Sequence, residues 1–206
     1  MKRQEKFVIT VNRELGSGGR TVGRKLAERL EVKYYDKALI QGLTKEFGLT
    51  VEEIEKIKAQ KKTWWNEFNN YYMKRGSTTM PMEAETVLTT ESMMATEKRI
   101  LQELAAEESC VIVGRCGFHI FENHPNALKI FVHSSEDCRK RRIAEKYGLS
   151  LADAAAMVVD NDYSRELYTK TYTGKDWHDA CNYDISLDVR MFGVNGAVDF
   201  IMHCIE

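Results

Sequence analysis

The sequence predicts an α/β fold of three layers, a parallel sheet of about five strands between helices, with one helical insertion. Three observations carry that expectation. A short apolar run near the start, Phe7 to Val11, feeds a glycine-rich turn, Gly16-Ser17-Gly18-Gly19, and then a helically periodic segment. Further short runs, apolar on both faces, alternate with helix-like stretches. Strands of that kind belong to parallel sheets covered on both sides, because an exposed face would alternate polar with apolar.

In chain order the first strand is Phe7–Val11 and the first helix Thr21–Leu30. A short extended piece, Lys33-Tyr34-Tyr35, ends at Asp36. A helix is expected over Thr86–Glu107, then strands Cys110–Val113 and Leu128–His133, too short and apolar for surface helices. Helices Glu136–Tyr147 and Leu151 to about Tyr168 follow, then a strand Tyr183–Leu187 and a closing helix Asn195–Cys204. Residues 43–85 interrupt the alternation. Thr50-Val51-Glu52-Glu53 has the form of a capping box, and Gly76 to Pro81 reads as an exposed loop. Between them Trp64, Trp65, Phe68, Tyr71 and Tyr72 recur at helical spacing. Packing within the insertion explains them. A homodimer contact is the other reading, since adjacent Trp64 and Trp65 cannot share one helix face.

Composition narrows the class. At 206 residues the chain is one domain, or one domain with an insertion. A formal net charge of -1 argues against a nucleic-acid-coating role. No apolar run approaches the roughly 20 residues that span a membrane, and the five-residue run after MKRQEK is too short for a signal peptide. Five widely spaced cysteines without a C-x-x-C pair point to reduced thiols in a cytoplasmic protein. The five histidines show no metal-ligand spacing.

The glycine turn is where chemistry is expected. Glycines let successive N–H groups converge on phosphate oxygens, and the following helix start adds a favourable dipole. Arg13, Gly16, Ser17, Gly18, Gly19, Arg20 and Thr21 therefore form the candidate phosphate-binding loop, and the Thr21 hydroxyl is a candidate ligand for phosphate or magnesium. The lysine that normally ends such a loop is absent, because G-x-x-x-x-G-K-[ST] is met in neither register. Arg115 follows the strand Cys110–Val113 and Asp36 ends the second extended piece, both where an open α/β sheet meets its ligand. Arg139 and Arg142, three apart in the run Arg139-Lys140-Arg141-Arg142, share a helix face. Such a run also occurs as a plain solvated face.

The segment GSGGRTVGRKLAERL resembles the loop and first helix of cytidylate kinases, in which a GSGKSTVAK-type run leads into LAERL. The whole chain is similar to the cytidylate kinase-like family, within the P-loop nucleoside monophosphate kinases. YYDK at 34–37, VIVGR at 111–115, SSEDCRKRR at 134–142, and YTGKDW with NYD between 172 and 184 carry the likeness. The resemblance implies a core of about 1–42 and 86–206, an acceptor-site insertion of about 43–85, and a lid of about 139–175. It implies transfer of the ATP γ-phosphoryl group to a nucleoside monophosphate such as CMP, with Mg2+ as cofactor. It places Arg115 and Asp36 on the acceptor, and Arg139, Arg142, Asp162 and Arg165 in the lid, with Arg139 and Arg142 neutralising the phosphoryl group in flight. Cys116 stands where the family often has aspartate.

Aligned without gaps on LAERL, the family lysine falls at Gly19 and the first motif glycine at Arg13. A shift of one residue puts Arg20 at the lysine and Glu14 at the glycine. Arg20 is the expected substitute for the lysine, with Arg13 as helper, since a guanidinium supplies the charge and grips two phosphate oxygens. Solvated arginines with weak or absent catalysis are the alternative. The competing functions are a same-fold kinase for a non-nucleotide acceptor and a nucleotide-sensing protein without turnover.

Overall fold

The structure is a computed structural model that describes residues 1–36 and 90–205. The chain divides into two compact units, Met1–Asp36 with Gln102–Glu206, and Lys37–Leu101. Most of the second unit, including the predicted insertion 43–85, its aromatics and its capping box, lies outside the described residues.

Five strands form one parallel sheet: β1 (Val8–Arg13), β2 (Lys33–Tyr35), β3 (Cys110–Val113), β4 (Ala127–His133) and β5 (Ile185–Asp188), in the order β2-β3-β1-β4-β5. The helices are α1 (Gly19–Leu30), α2 (Thr90–Glu107), α3 (Gly117–Ile120), α4 (Glu136–Tyr147), α5 (Leu151–Thr173) and α6 (Val189–Ile205). β1 is central and pairs on both sides, Val8 aligning with Cys110 on β3 and with Ala127 on β4. Its alternate residues therefore face two different layers.

Phe7, Ile9 and Val11 point to one side, where Val22, Leu26 and Ala27 of α1 and Ala197, Val198, Ile201 and Ile205 of α6 complete the main core. Each fully buried aliphatic side chain there stabilises by roughly 1.5–3 kcal/mol. The other side is aromatic: Phe118, Phe131, Trp177 and Tyr183 pack together with Cys116. Asn12 of β1 reaches into this layer and donates to the Tyr183 hydroxyl at 3.2 Å, and Tyr183 donates on to the Trp177 carbonyl at 2.8 Å. No two cysteines form a disulfide. Among the described residues no helix is long and apolar enough to cross a membrane.

Several boundaries differ from the sequence expectation. β1 runs on to Arg13, which pairs with Val132. α1 begins at Gly19 rather than Thr21, because the Gly18 carbonyl already accepts from Thr21 and Val22 at 2.9 and 3.0 Å. α5 continues past Tyr168 to Thr173 and stops at Gly174, whose left-handed φ of 67° ends it. The last strand starts at Ile185, since Tyr183 closes a 3₁₀ turn and Asp184 brackets Lys129 with two hydrogen bonds. α6 starts at Val189, six residues early, because Gly193 (φ 64°, ψ 174°) joins two helical pieces. α3 has no counterpart in the sequence expectation, as four residues carry no readable periodicity.

Candidate active site

The chain leaves β1 and β3 in opposite directions although the two strands are neighbours. That reversal opens a crevice beyond their carboxyl ends, where ligands bind in sheets of this kind. The glycine turn rises from β1, and Gly114 to Cys116 from β3. The site is built between them.

Ser17 pins the first turn from inside. It is wholly buried, its hydroxyl donates to the Glu14 carbonyl at 2.9 Å, and its oxygen accepts from the Gly19 amide at 3.3 Å. Gly16 and Gly18 have φ of +78° and +92°, a region that side chains resist. A Cβ at Gly16 would also lie 2.7 Å from the Arg139 carbonyl oxygen, and one at Gly18 would displace the Arg142 guanidinium, whose Nη1 lies 2.8 Å away. Among the described residues the amides of Gly16, Gly18 and Arg20 make no hydrogen bond. Unpaired amides at the start of a twelve-residue helix are the groups from which an anion site can be built. The Thr21 hydroxyl, in the first turn, makes none either, so these residues fit phosphate oxygens and a magnesium ligand.

The arginines expected in the site are partnered in different ways. Arg20 Nε lies 2.6 Å from Asp36 Oδ2, which also accepts from the Tyr34 hydroxyl at 3.1 Å. Two predicted site residues thus meet each other, and Tyr34, from the YYDK motif but given no role of its own, joins them. Burial works against the Arg20 charge, but Asp36 outweighs it and raises the guanidinium pKa. Arg142 donates to the Gly16 carbonyl at 2.8 Å. Arg139 is nearly buried. It lies 3.2 Å from Glu14 Oε2, pairs with Asp162, and donates to the carbonyls of Ser134 and Leu15.

Asp162 also accepts from the Leu15 amide at 2.7 Å and from Arg165 Nη1 at 3.1 Å, while Arg165 donates to the Arg13 carbonyl at 2.9 Å. Asp162, Arg139 and Arg165 therefore clamp residues 13–15 against α4 and α5. Glu14 has a second partner in His178, 3.8 Å away, and accepts from the Ser134 amide at 3.1 Å. Sequence reasoning gave Glu14 and His178 no role, because their partners are remote in the chain. Beside them a cleft of about 310 Å³ is lined by Glu14, Arg139, Asp162, Tyr163, Glu166 and His178. Ligand atoms of Glu166, Asp176 and His178 come within 4.8 Å of one another, an exposed grouping of a kind common without an ion.

Arg115 is exposed at the end of β3, in a run of three left-handed residues, Gly114, Arg115 and Cys116, with φ of 85°, 60° and 51°. Left-handed backbone at a non-glycine residue costs of order 1–2 kcal/mol. The turn points Arg115 outward and tucks Cys116 inward, its Sγ 3.8 Å from Thr169 Oγ1. Arg13 completes the set. Its side chain crosses from β1 towards this turn, and among the described residues its guanidinium has no hydrogen bond and no carboxylate partner. Burial, then Arg165 and Arg20, lower its pKa to about 9.

Comparison with known proteins bears on the family and the fold. A model of the cytidylate kinase-like family matches residues 8–190. A cytidylate kinase of Pyrococcus horikoshii is 25% identical over 205 residues, spanning 98% of this chain and 90% of that protein. A crystal structure of an uncharacterized protein from Eubacterium ventriosum ATCC 27560 superposes with a TM-score of 0.71 at 24% identity, over 97% of this chain and 98% of that one. Shikimate kinase from Bacteroides thetaiotaomicron shares the fold at a TM-score of 0.51 and 12% identity, over 97% and 98% of the two chains.

Proposed function

The chain belongs to the cytidylate kinase-like family, and from that membership we propose that it is an ATP-dependent phosphotransferase whose acceptor is a nucleoside monophosphate of the CMP type. The observation that carries the reading is the candidate anion site at the β1/β3 crevice: unpaired amides of Gly16, Gly18 and Arg20 at the N-terminus of α1. The curated relatives it matches are cytidylate kinases.

In the proposed reaction an oxygen of the acceptor phosphate forms a bond to the γ-phosphorus of ATP. The bond from that phosphorus to the β–γ bridging oxygen breaks, leaving ADP and a nucleoside diphosphate. Little covalent work falls to the protein, so catalysis is positioning and charge neutralisation. The loop amides hold the donor phosphates. Arg115 holds the acceptor phosphate across the crevice, and Asp36 faces the acceptor. Arg142, one hydrogen bond from the loop, adds positive charge along its other side, and Arg139, fixed on Glu14 and Asp162, holds the loop in position. Thr21 would ligate Mg2+ through its hydroxyl, and the ion when bound neutralises donor phosphate charge. Closure of the lid region, about 139–175, would expel water from the transfer.

A second reading, nucleotide binding without turnover, draws on the Arg20–Asp36 pair, which holds the arginine next to the loop on a carboxylate. A coupled ATPase assay of the wild type with CMP, UMP, AMP and GMP separates the two. ADP release stimulated by CMP above the others supports the kinase. Measurable ATP binding with no release for any monophosphate supports the sensor, or a kinase for a non-nucleotide acceptor, which a panel of small hydroxy acids and sugars then tests.

A further inference from the structure

We propose that Arg13, at the end of β1, delivers the positive charge that the missing loop lysine would have supplied, reaching the transferring phosphate from the opposite wall of the crevice. The inference rests on the phosphotransferase reading for the identity of its ligand, and on packing for everything else.

Two glycines make a channel for this side chain. A Cβ at Gly19 would stand 2.4 Å from the Cβ of Arg13 and 3.0 Å from its Cγ, so the stem of Arg13 passes where a side chain at 19 would begin. At the far end a Cβ at Gly114 would stand 2.2 Å from Arg13 Nη1. The contact at Gly19 is with the strand-end stem and cannot be relieved by a small shift, whereas a side chain at 114 would push the guanidinium tip out of this place. Gly19 is the position of the family lysine in the ungapped alignment, and Arg13 that of the first motif glycine. The two positions have exchanged roles: cation for glycine at 13, glycine for cation at 19.

The neighbouring cations are engaged elsewhere. Arg20 is on Asp36, Arg139 on Glu14 and Asp162, Arg165 on Asp162, and Arg142 on the Gly16 carbonyl. Arg13 makes no ion pair or side-chain hydrogen bond among the described residues: Arg165 and Arg20 act on it more strongly than Asp36, which only partly offsets them. A largely enclosed, unpaired guanidinium is costly to the empty protein. Such a cost is recovered when an anion lies between Arg13, the loop amides and Arg115. An arginine serves this place well, because its fork can hold two phosphate oxygens at once.

The test uses the full chain, with inorganic tripolyphosphate as the probe in calorimetry and the unfolding midpoint followed in parallel. Arg13→Gln is expected to weaken tripolyphosphate binding about tenfold to a hundredfold, the usual worth of a charge-assisted hydrogen bond. It is also expected to raise the midpoint of the anion-free protein, because an unpaired charge is removed. Gly19→Lys alone is expected to lower the midpoint, and the double variant Arg13→Gly with Gly19→Lys to regain both stability and affinity. Unchanged affinity in Arg13→Gln, a lowered midpoint, or a double variant no better than Gly19→Lys overturns the inference. Failure of the two readings can be told apart. Tripolyphosphate binding that depends on Arg13, in a protein that transfers to no acceptor, sinks the phosphotransferase reading and keeps this one. Transfer at the wild-type rate in Arg13→Gln does the reverse.

Discussion

Arg139 is 11% exposed along its side chain and faces Glu14 and Asp162, themselves 14% and 13% exposed. Removing one member of such a group strands the others in a low dielectric, so Arg139→Met is expected to cost about 3–5 kcal/mol by urea unfolding. A loss below about 1 kcal/mol would place the network in the class of surface pairs. Lys2–Glu5, 76% and 60% exposed, belongs to that class, and Lys2→Ala is expected to leave the urea midpoint unchanged. The D-x-x-R spacing of Asp162 and Arg165 and the spacing of Arg139 and Arg142 were legible, because residues three apart on a helix share a face. Their partners were not. Leu15 and Asp162 lie 147 positions apart, and no local pattern announces such a contact.

Capping and charge pairing act at the scale of elements. The Ser150 side chain accepts from the Asp153 amide at 3.1 Å at the start of α5, and Ser150→Ala is expected to cost about 1 kcal/mol, read by urea unfolding. The segment after α5 is tied to the loop after β1 through His178 and Glu14. The Glu14 carboxylate, 3.8 Å from His178 Nε2, holds the imidazole pKa above its ordinary 6.5. On Glu14 burial acts upward, but His178, the Ser134 amide and Arg139 win and hold it below 4.5. A raised imidazole pKa gives stability that is complete below pH 6.5 and fades as pH climbs through the raised value. A lowered carboxylate pKa gives stability that fades as pH falls through the lowered value. In His178→Gln the decline of the unfolding midpoint as pH rises above 6.5 is therefore expected to flatten, and a slope identical to wild type contradicts the pairing. Element type was readable wherever a run was long or strongly apolar. Boundaries slipped where glycine decides them, at Gly18, Gly174 and Gly193, because a left-handed φ prolongs one helix start, ends another and splits a third.

For the molecule as a whole the sheet order decides what is essential. Ile9 and Val11 on the central strand have no exposed surface, and Ile9→Ala is expected to cost about 2–5 kcal/mol, while substitutions at exposed Lys33 on the edge stay within about 0.5 kcal/mol. ATP at a hundred times its Kd should stabilise the folded chain by about 2.7 kcal/mol, seen as a raised midpoint. That the sheet is parallel could be read from runs apolar on both faces. The order β2-β3-β1-β4-β5 could not, since an apolar run does not record its neighbours. Placing β1 at the centre also has a consequence during synthesis. Val8 aligns with Cys110 and Ala127, which leave the ribosome more than a hundred residues later. At the usual elongation rates that is a delay on the order of 10 s, during which FVITV is a bare, uncharged β-forming segment with both edges open. Over this interval the nascent chain is therefore expected to be more open to aggregation than a fold with a hairpin at its start.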